Sequence, residues 1–469
     1  MERYIQDIDR EIEAVRPELA RDTIRLVNIK SVQGEPRPGA PFGEGPRAVL
    51  DAVMRMSAEE GFHVVDYGVG VVSAALQDSQ PDLGIWLHGD VVPEGDGWSF
   101  DPYNAMEYKG CIVGRGATDN KGQLAAIFHL LRIFRKLNVP LKYNPALYVG
   151  SNEETGMKDL AGIPGNDDAW GFCNTCTPPR LSLVPDSGFP VGYGGKGGMN
   201  LTLKSKKPLV GAVITAGQKE SPGKAAALLR RTDVPAELPE CEIHSAPEGT
   251  EICAFSPPIH SAHPKPDGNM ITKLMTALLD SGLAAEEDRQ VLDFIRQISL
   301  DVAGAMFGIN VETVSMTPLT LASVSITTDE EGYVSMRLNI RYPIELTCKQ
   351  IAARVGKVVE ENGMTISDVE SRTEPYLLDP DWPVIRRLTA IANEVTGMDK
   401  APYTLGGGTY AHKLPNALAF GMNGCLPPDD FPKGRGGAHG IDETVSLDRL
   451  QRAMRIYARA MLALDEMEW

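Results

Sequence analysis

Three short apolar runs, each followed closely by an ionisable residue, constrain the fold of this chain more than any other feature. The run LGIWL leads directly to His88, ALYVG ends just before Glu153, and LSLV ends just before Asp186. Continuous apolar runs of this length are typical of strands that are buried on both faces. Residues 121–137 come between the first two runs and repeat apolar residues at helical spacing. Alternating strands and helices predict an α/β fold with a mostly parallel sheet and helices on both faces.

The strand pattern changes near residue 195. The segments GGMNLTLKSK and YVSMRLNIRY alternate apolar and polar residues, which is typical of antiparallel strands with one solvated face. We therefore predict an inserted α+β domain over residues 195–375. Residues 1–194 and 376–469 are predicted to form one discontinuous domain, and we expect the active site at the junction of the two domains.

Charge and hydropathy exclude several classes of protein. Acidic residues outnumber basic residues by 63 to 46, which gives a net charge of −17 and argues against a nucleic-acid partner. No apolar run reaches the roughly 18 residues of a transmembrane helix, and the first residues lack a signal-peptide apolar region. We therefore expect no membrane association and a cytoplasmic location.

The seven cysteines are scattered, and the one CxxC, Cys173 and Cys176, has no second pair that would complete a zinc site.

Several ionisable residues near strand ends or in late loops are candidate metal ligands. They are His88, Asp119, the adjacent Glu153 and Glu154, Asp186 and His439. In open α/β sheets, functional sites are built at the carboxyl edge of the strands. Imidazole and carboxylate ligands suit zinc, manganese or cobalt. Three ligand carboxylates and a bridging hydroxide carry a charge of −4, which two divalent cations balance; a single ion would leave a negative charge that is costly to bury.

Each of these residues also has an ordinary structural interpretation. A lone histidine such as His88 is usually structural, Asp119 could cap a helix, and Asp186 could be a turn residue. The adjacent glutamates would ordinarily belong to a solvated loop. Their occurrence at equivalent sheet-edge positions favours a metal site. Asp90 lies two residues after His88, so both side chains point the same way, and the Asp90 carboxylate could hold the His88 ring from behind.

The sequence resembles the M20 metallopeptidases, and within them the PepV-type (Xaa-His/carnosine-like) dipeptidases. The resemblance covers nearly the whole chain and rests on PFGEGP, HGDVVPEGDGW, GRGATDNKG, NEETG, PDSGFP, NIRYP, GGGTYA and AHGIDE. It implies a zinc-peptidase-like catalytic domain, an inserted lid domain and two divalent ions, zinc first, with manganese or cobalt as alternatives.

The resemblance also implies a role for each candidate. His88, Asp119 and Asp186 would bind one ion, and Asp119, Glu154 and His439 would bind the other. Glu153 is implied as the general base that takes a proton from the attacking water and delivers it to the leaving amine.

The inserted domain is longer than the lid of family members that dimerise through it, which favours a monomer. Arg341 matches a family arginine that binds the C-terminal carboxylate of the substrate, although it could simply belong to a polar strand face with Arg337 and Asn339. His260 matches the lid histidine that contacts the tetrahedral oxyanion, and His263 is the alternative. Close approach of backbone amides to the substrate is implied for three glycines: Gly406, Gly407 and Gly408.

Three positions depart from the family pattern: Asn120 replaces a second aspartate, Lys219 stands near the expected lid asparagine, and Gly195 replaces an acidic residue. None of them removes a metal ligand. The leading hypothesis is metal-dependent hydrolysis of dipeptides. The alternatives are hydrolysis of N-acyl or N-carbamoyl amino acids on the same scaffold, and a non-catalytic peptide-binding protein.

Overall fold

A computed structural model describes residues 2–162, 171–217, 223–256, 264–422, 431 and 434–469. The chain divides into two compact units. The first unit comprises Met1–Gly194, Leu378–Tyr403 and Thr409–Trp469, and the second comprises Gly195–Leu377 and Thr404–Gly408. The short segment Thr404–Gly408 belongs to the second unit, where the Lys196 amide donates a hydrogen bond to the Leu405 carbonyl.

The first unit is built on a mixed sheet whose central strands are parallel. Seven of its nine described strands follow one another across the sheet in the order His63–Asp66, Val71–Ala75, Pro145–Gly150, Leu83–His88, Leu181–Val184, Ala417–Ala419 and Gly192–Gly195. Every residue of Leu83–His88 and of Pro145–Gly150 is buried. Since successive side chains point to opposite faces, both faces of the central strands are covered. The large, mostly parallel sheet predicted from the apolar runs is confirmed.

Helices pack against this sheet and share its hydrophobic core. They span Glu2–Ala14, Arg16–Val27, Glu44–Glu59, Gly122–Lys136, Pro383–Thr396 and Leu447–Leu464, whereas the one-turn helices Lys158–Ala161 and Phe172–Thr175 lie outside this core. The sequence predicts two helices around a loop in residues 1–60, whereas the described residues 2–60 form three helices. Pro17 lies in the first turn of the second helix, and because proline has no amide hydrogen to donate, it separates this helix from the first. A small antiparallel sheet joins Met106–Tyr108, Cys111–Val113 and Thr444–Ser446.

The described residues of the second unit form an antiparallel sheet and three α-helices. The strands lie in the order Cys241–Ala246, Gly249–Ser256, Gly223–Leu229, Ala212–Gly217, Thr320–Thr328, Val334–Tyr342, Gly197–Ser205 and Met364–Thr373. Helices Met270–Asp280, Arg289–Leu300 and Cys348–Glu361 bury their apolar side chains against the sheet in a separate core. In Val334–Tyr342, the apolar side chains alternate with Arg337, Asn339 and Arg341, which therefore share the opposite face.

Across the described ranges of both units, we find no helix with the length and apolar character that crossing a membrane requires.

Candidate metal centre

The parallel strands of the first unit bring three candidate residues to one edge of the sheet. His88 is the last residue of Leu83–His88, Glu153 follows Pro145–Gly150, and Asp186 follows Leu181–Val184. These strands are neighbours and run in the same direction. The side chains that follow them therefore emerge at the same carboxyl edge, where open α/β sheets build their sites.

Asp119 and His439 reach this edge from loops. Asp119 lies in the turn Ala117–Lys121, immediately before helix Gly122–Lys136. His439 lies in a loop that is closed by hydrogen bonds from the Gly436 amide to the Ile441 carbonyl and from the Thr444 amide to the Gly436 carbonyl. Its backbone has a φ of 60°, a left-handed conformation that is uncommon for a residue other than glycine. Both side chains are thus presented by tightly bonded backbone.

The candidate ligands form two clusters that share Asp119. His88, Asp119 and Asp186 form one cluster, and Asp119, Glu154 and His439 form the other, with the ligand atoms of each within 4.8 Å of one another. Oδ1 of Asp119 lies 3.0 Å from Nε2 of His88, and Oδ2 of Asp119 lies 3.1 Å from Nε2 of His439. Nε2 of His439 is also 3.0 Å from Oε1 of Glu154. One carboxylate therefore presents a different oxygen to each cluster.

The charges in the two clusters are strongly coupled. Burial alone would lower the pKa of His88, but its hydrogen bonds with Asp119 and Asp90 raise that pKa well above its ordinary value. The His439 side chain is 47% exposed, and its partial burial opposes the charged form, yet Asp119 and Glu154 raise its pKa to about 11. Burial would raise the pKa of Asp119, but the two imidazoles hold it well below its usual range. Protonated imidazoles thus supply positive charge that bound cations could replace.

The adjacent glutamates differ in their contacts. Glu154 contacts His439, and burial together with the charge of Asp119 raises the pKa of Glu154 to about 7. Burial, followed by the negative charge of Asp186, raises the pKa of Glu153 well above its ordinary value. Within the described ranges, Oε1 of Glu153 is buried and has no hydrogen-bond partner. A buried carboxylate oxygen without a partner can accept a hydrogen bond from a water or substrate group.

Asp90 holds the backbone that carries these two glutamates. Nδ1 of His88 lies 3.0 Å from the backbone carbonyl oxygen of Asp90 and 3.5 Å from its carboxylate oxygen Oδ1. The Asp90 carboxylate instead accepts the amides of Glu153 and Glu154, at 3.1 and 3.0 Å. Asp90 therefore orients the His88 ring mainly through its carbonyl group and the glutamate segment through its carboxylate.

The donor set fits a pair of divalent metal ions. Each cluster offers one imidazole nitrogen and two carboxylates, and Asp119 belongs to both. Imidazole with carboxylate is a usual ligand combination for zinc, manganese and cobalt. Glu153, whose buried oxygen Oε1 has no hydrogen-bond partner in the described ranges, directly precedes the candidate ligand Glu154.

In the second unit, Arg341 is a buried cation with no acidic partner among the residues that the structure describes. Its side chain is 9% exposed, and its Nε donates to Oδ1 of Asn339 at 3.1 Å. Asn339 in turn donates to Oδ1 of Asn200 at 2.7 Å. Burial, with a smaller effect from Arg372, lowers the pKa of Arg341 to about 10. No carboxylate in the described ranges forms an ion pair with Arg341, so its guanidinium could bind an anionic ligand by donating hydrogen bonds to it.

The remaining sequence candidates divide into two groups. Gly406, Gly407 and Gly408 are partly exposed in the second unit, and a Cβ atom built on Gly407 would meet nothing within 4 Å. His260, His263 and Lys219 lie outside the described residues.

Four buried residues around the centre were missed by the sequence reasoning. Arg115 and Glu443 form an ion pair with a 2.7 Å contact, and Tyr410 donates to Asp159 at 2.5 Å. Arg115, Glu443 and Tyr410 occur inside the motifs GRGATDNKG, AHGIDE and GGGTYA. These three residues could therefore have been found as ionisable or hydroxyl side chains within the recognised motifs. The sequence does not indicate, however, which residue each of them contacts.

Known proteins share this sequence pattern and fold. "Putative dipeptidase YtjP" of Bacillus subtilis (strain 168) is 24% identical over 97% of this chain and 99% of its own length. Human carnosine dipeptidase 1 aligns over 99% of both chains with a TM-score of 0.62 and 15% identity. The Bacillus subtilis YXEP protein, described as a dinuclear metal binding peptidase from the M20 family, aligns over 97% of this chain and 100% of its own, with a TM-score of 0.52 and 11% identity.

At these identities, the two solved structures show that the fold is shared. The family itself follows from the sequence, because the model of Peptidase family M20/M25/M40 matches residues 85–463, well over half of the chain. The matched segment contains both clusters of candidate ligands. The resemblance to M20 metallopeptidases is thereby confirmed, and the chain belongs to peptidase family M20/M25/M40.

Proposed function

We propose that this protein is a dipeptidase that uses two divalent metal ions, with Glu153 as its general base. The main support for this proposal is that two clusters of candidate ligands share Asp119. His88, Asp119 and Asp186 would hold one ion, and Asp119, Glu154 and His439 the other. Zinc is the first candidate for the metal, and manganese or cobalt would suit the same donors.

Bound divalent ions at such a site supply a water of lowered pKa and polarise the scissile carbonyl group. Glu153 would take the proton of the attacking water and transfer it to the leaving amine. Its buried oxygen Oε1 has no hydrogen-bond partner in the described ranges, so it is available for the proton. A raised pKa also suits a group that must first accept and then release a proton near neutral pH.

Arg341 would bind the C-terminal carboxylate of the substrate. The guanidinium is buried, lacks an acidic partner in the described ranges, and has a geometry that pairs bidentately with carboxylates. A substrate that binds Arg341 through its C-terminal carboxylate must have a free C-terminus, which favours short peptides. Xaa-His dipeptides such as carnosine are the first substrates to test, given the named activity of the human structural neighbour.

The direct test is hydrolysis by metal-free protein reloaded with zinc, manganese or cobalt. The panel should contain dipeptides, including Xaa-His peptides, beside N-acyl and N-carbamoyl amino acids. Elemental analysis should give about two ions per chain. One ion per chain in excess metal would contradict the dinuclear site, and hydrolysis of only the N-acyl or N-carbamoyl compounds would contradict the dipeptidase assignment.

Two substitutions separate the proposed roles of the glutamates. Glu153→Gln keeps the size of the side chain but cannot accept the proton, so activity should fall by roughly two to four orders of magnitude with unchanged metal content. Glu154→Gln should lose metal affinity and activity together. Glu107→Gln changes an exposed glutamate and is the control. Loss of metal in Glu153→Gln but not in Glu154→Gln would mean that the roles are reversed.

A further inference from the structure

The segment that carries Glu153 and Glu154 is held by two buried carboxylates. The four consecutive amides of residues 151–154 all donate to them. The first two bond to Oδ2 of Asp159, at 2.8 and 3.1 Å. The last two bond to Oδ1 and Oδ2 of Asp90, at 3.1 and 3.0 Å. Asp159 therefore fixes the backbone immediately before the two glutamates.

Tyr410 holds Asp159 in turn. The Tyr410 hydroxyl donates to Oδ2 of Asp159 at 2.5 Å, and the Leu160 amide donates to Oδ1 at 3.0 Å. Asp159 is fully buried and Tyr410 is 1% exposed. The Tyr410 ring also packs edge-on against His88, with 6.4 Å between the ring centroids. A single tyrosine thus contacts both a candidate ligand and the support of the glutamate segment.

Gly150 makes this arrangement sterically feasible. A Cβ atom at Gly150 would lie 2.0 Å from the Tyr410 hydroxyl oxygen and 2.4 Å from Oδ2 of Asp159. Real Cβ atoms do not approach other atoms so closely. The last residue of strand Pro145–Gly150 therefore lacks a side chain where the tyrosine and the aspartate meet the backbone.

We propose that Asp159 and Tyr410 are positioning residues of the peptidase reaction, an inference that rests on the proposed function. Glu153 and Glu154 begin a turn in which the Met157 amide donates to the Asn152 carbonyl at 2.7 Å. A rotation of the peptide groups at residues 151–152 therefore redirects both glutamates. A displacement of about 1 Å in a reacting group can cost roughly 100-fold in rate. Asp159 and Tyr410 act by preventing such a rotation, without touching the substrate or an ion.

The critical substitution is Tyr410→Phe, which removes only the hydroxyl group that holds Asp159. We expect kcat to fall about tenfold or more with KM changed less than twofold, since the substrate-binding arginine is unaffected. We also expect an effect on metal binding, measured by calorimetric titration of the metal-free variant with zinc or manganese. The more weakly bound of the two ions should bind about tenfold less tightly than in the wild type, because Glu154 loses its fixed direction.

Tyr143→Phe is the matched control. The Tyr143 hydroxyl is also buried and donates to the Met461 carbonyl at 2.7 Å, near the opposite end of strand Pro145–Gly150. This variant should lose a comparable hydrogen bond yet keep wild-type kcat and metal affinity. Equal behaviour of Tyr410→Phe and Tyr143→Phe in both measurements would overturn the inference. Asp159→Asn should reproduce the effects of Tyr410→Phe, and wild-type kinetics and metal binding in that variant would contradict the role of Asp159.

Failure of the proposed function gives a different result. If wild-type protein hydrolyses no dipeptide, the peptidase assignment fails, and metal affinity alone tests the positioning. Weaker metal binding in Tyr410→Phe but not in Tyr143→Phe is then evidence that Asp159 positions Glu154. Unchanged metal binding in both variants overturns it.

Discussion

Arg115 and Glu443 form a buried ion pair that joins the turn carrying Asp119 to the loop carrying His439. NH1 of Arg115 donates to Oε2 of Glu443 at 2.7 Å, and Oε1 of Glu443 accepts the amides of Thr118 and Asp119, each at 3.0 Å. NH2 of Arg115 donates to the His439 carbonyl at 3.3 Å. Two candidate ligands of one ion, more than 300 residues apart in the sequence, are therefore held by the same ion pair.

Arg115→Ala should destabilise the metal-free protein strongly. Removing one member of a buried ion pair leaves an uncompensated charge and typically costs about 3–5 kcal/mol in the free energy of unfolding. Arg459→Ala removes a partly exposed ion pair with Asp9 and should cost about 1 kcal/mol or less. Urea unfolding of both variants provides the comparison. Similar losses would show that the Arg115–Glu443 pair contributes no more than an ordinary surface pair.

Metal binding should release protons. At pH 7, the raised pKa of His88 and the pKa of about 11 for His439 keep both imidazoles protonated without metal, whereas a ligating nitrogen must be neutral. We expect release of more than two protons per chain, one from each imidazole and a fraction from Glu154, whose pKa of about 7 leaves it partly protonated at pH 7. Calorimetry in buffers of different ionisation enthalpy measures this release. His439→Ala should release about one proton fewer. Binding heats that are independent of the buffer would contradict the predicted protonation.

Arg341→Ala should weaken the binding of substrates with a free C-terminal carboxylate. The expected rise in KM is about ten- to a hundredfold, since a charged hydrogen-bonded contact contributes about 1.5–3 kcal/mol. C-terminally amidated analogues should be affected much less. Arg337→Ala, on the same strand face but exposed and paired with Glu370, is the control. Equal losses on both kinds of substrate would exclude Arg341 as the carboxylate-binding residue.

His260→Ala should lower turnover more than His263→Ala. Loss of one donor to a tetrahedral oxyanion typically costs about 100- to 1000-fold in kcat. Both histidines lie outside the described residues, so the assignment to His260 stays a prediction from the motif HSAHPKPDGN. Steady-state kinetics of the two variants on one dipeptide decides between them, and the reverse order of losses would identify His263.

The sequence predicts the parts of this site that depend on strand order. Apolar runs identify the central strands. His88 ends one of them and Asp186 follows another, and both lie at one edge because parallel strands end there. The partners of Asp159 and Arg115 could not be predicted in this way. Tyr410 lies 251 residues after Asp159, and no periodicity connects two short helical turns that meet only in the folded unit. The helix break at Pro17, by contrast, depends on local chemistry alone, because proline has no amide hydrogen to continue the first helix.

The division of the first unit by the second has a consequence for protein synthesis. When residue 194 has been added to a growing chain, His88, Asp119, Glu154 and Asp186 already exist, but His439 does not. Strand Ala417–Ala419, which pairs with Leu181–Val184, is also still to be made. At about 5–20 residues per second, the ribosome needs tens of seconds more to reach them. Prematurely terminated products would carry most of the ligands but no complete second cluster, so we expect peptidase activity only from chains extended past His439.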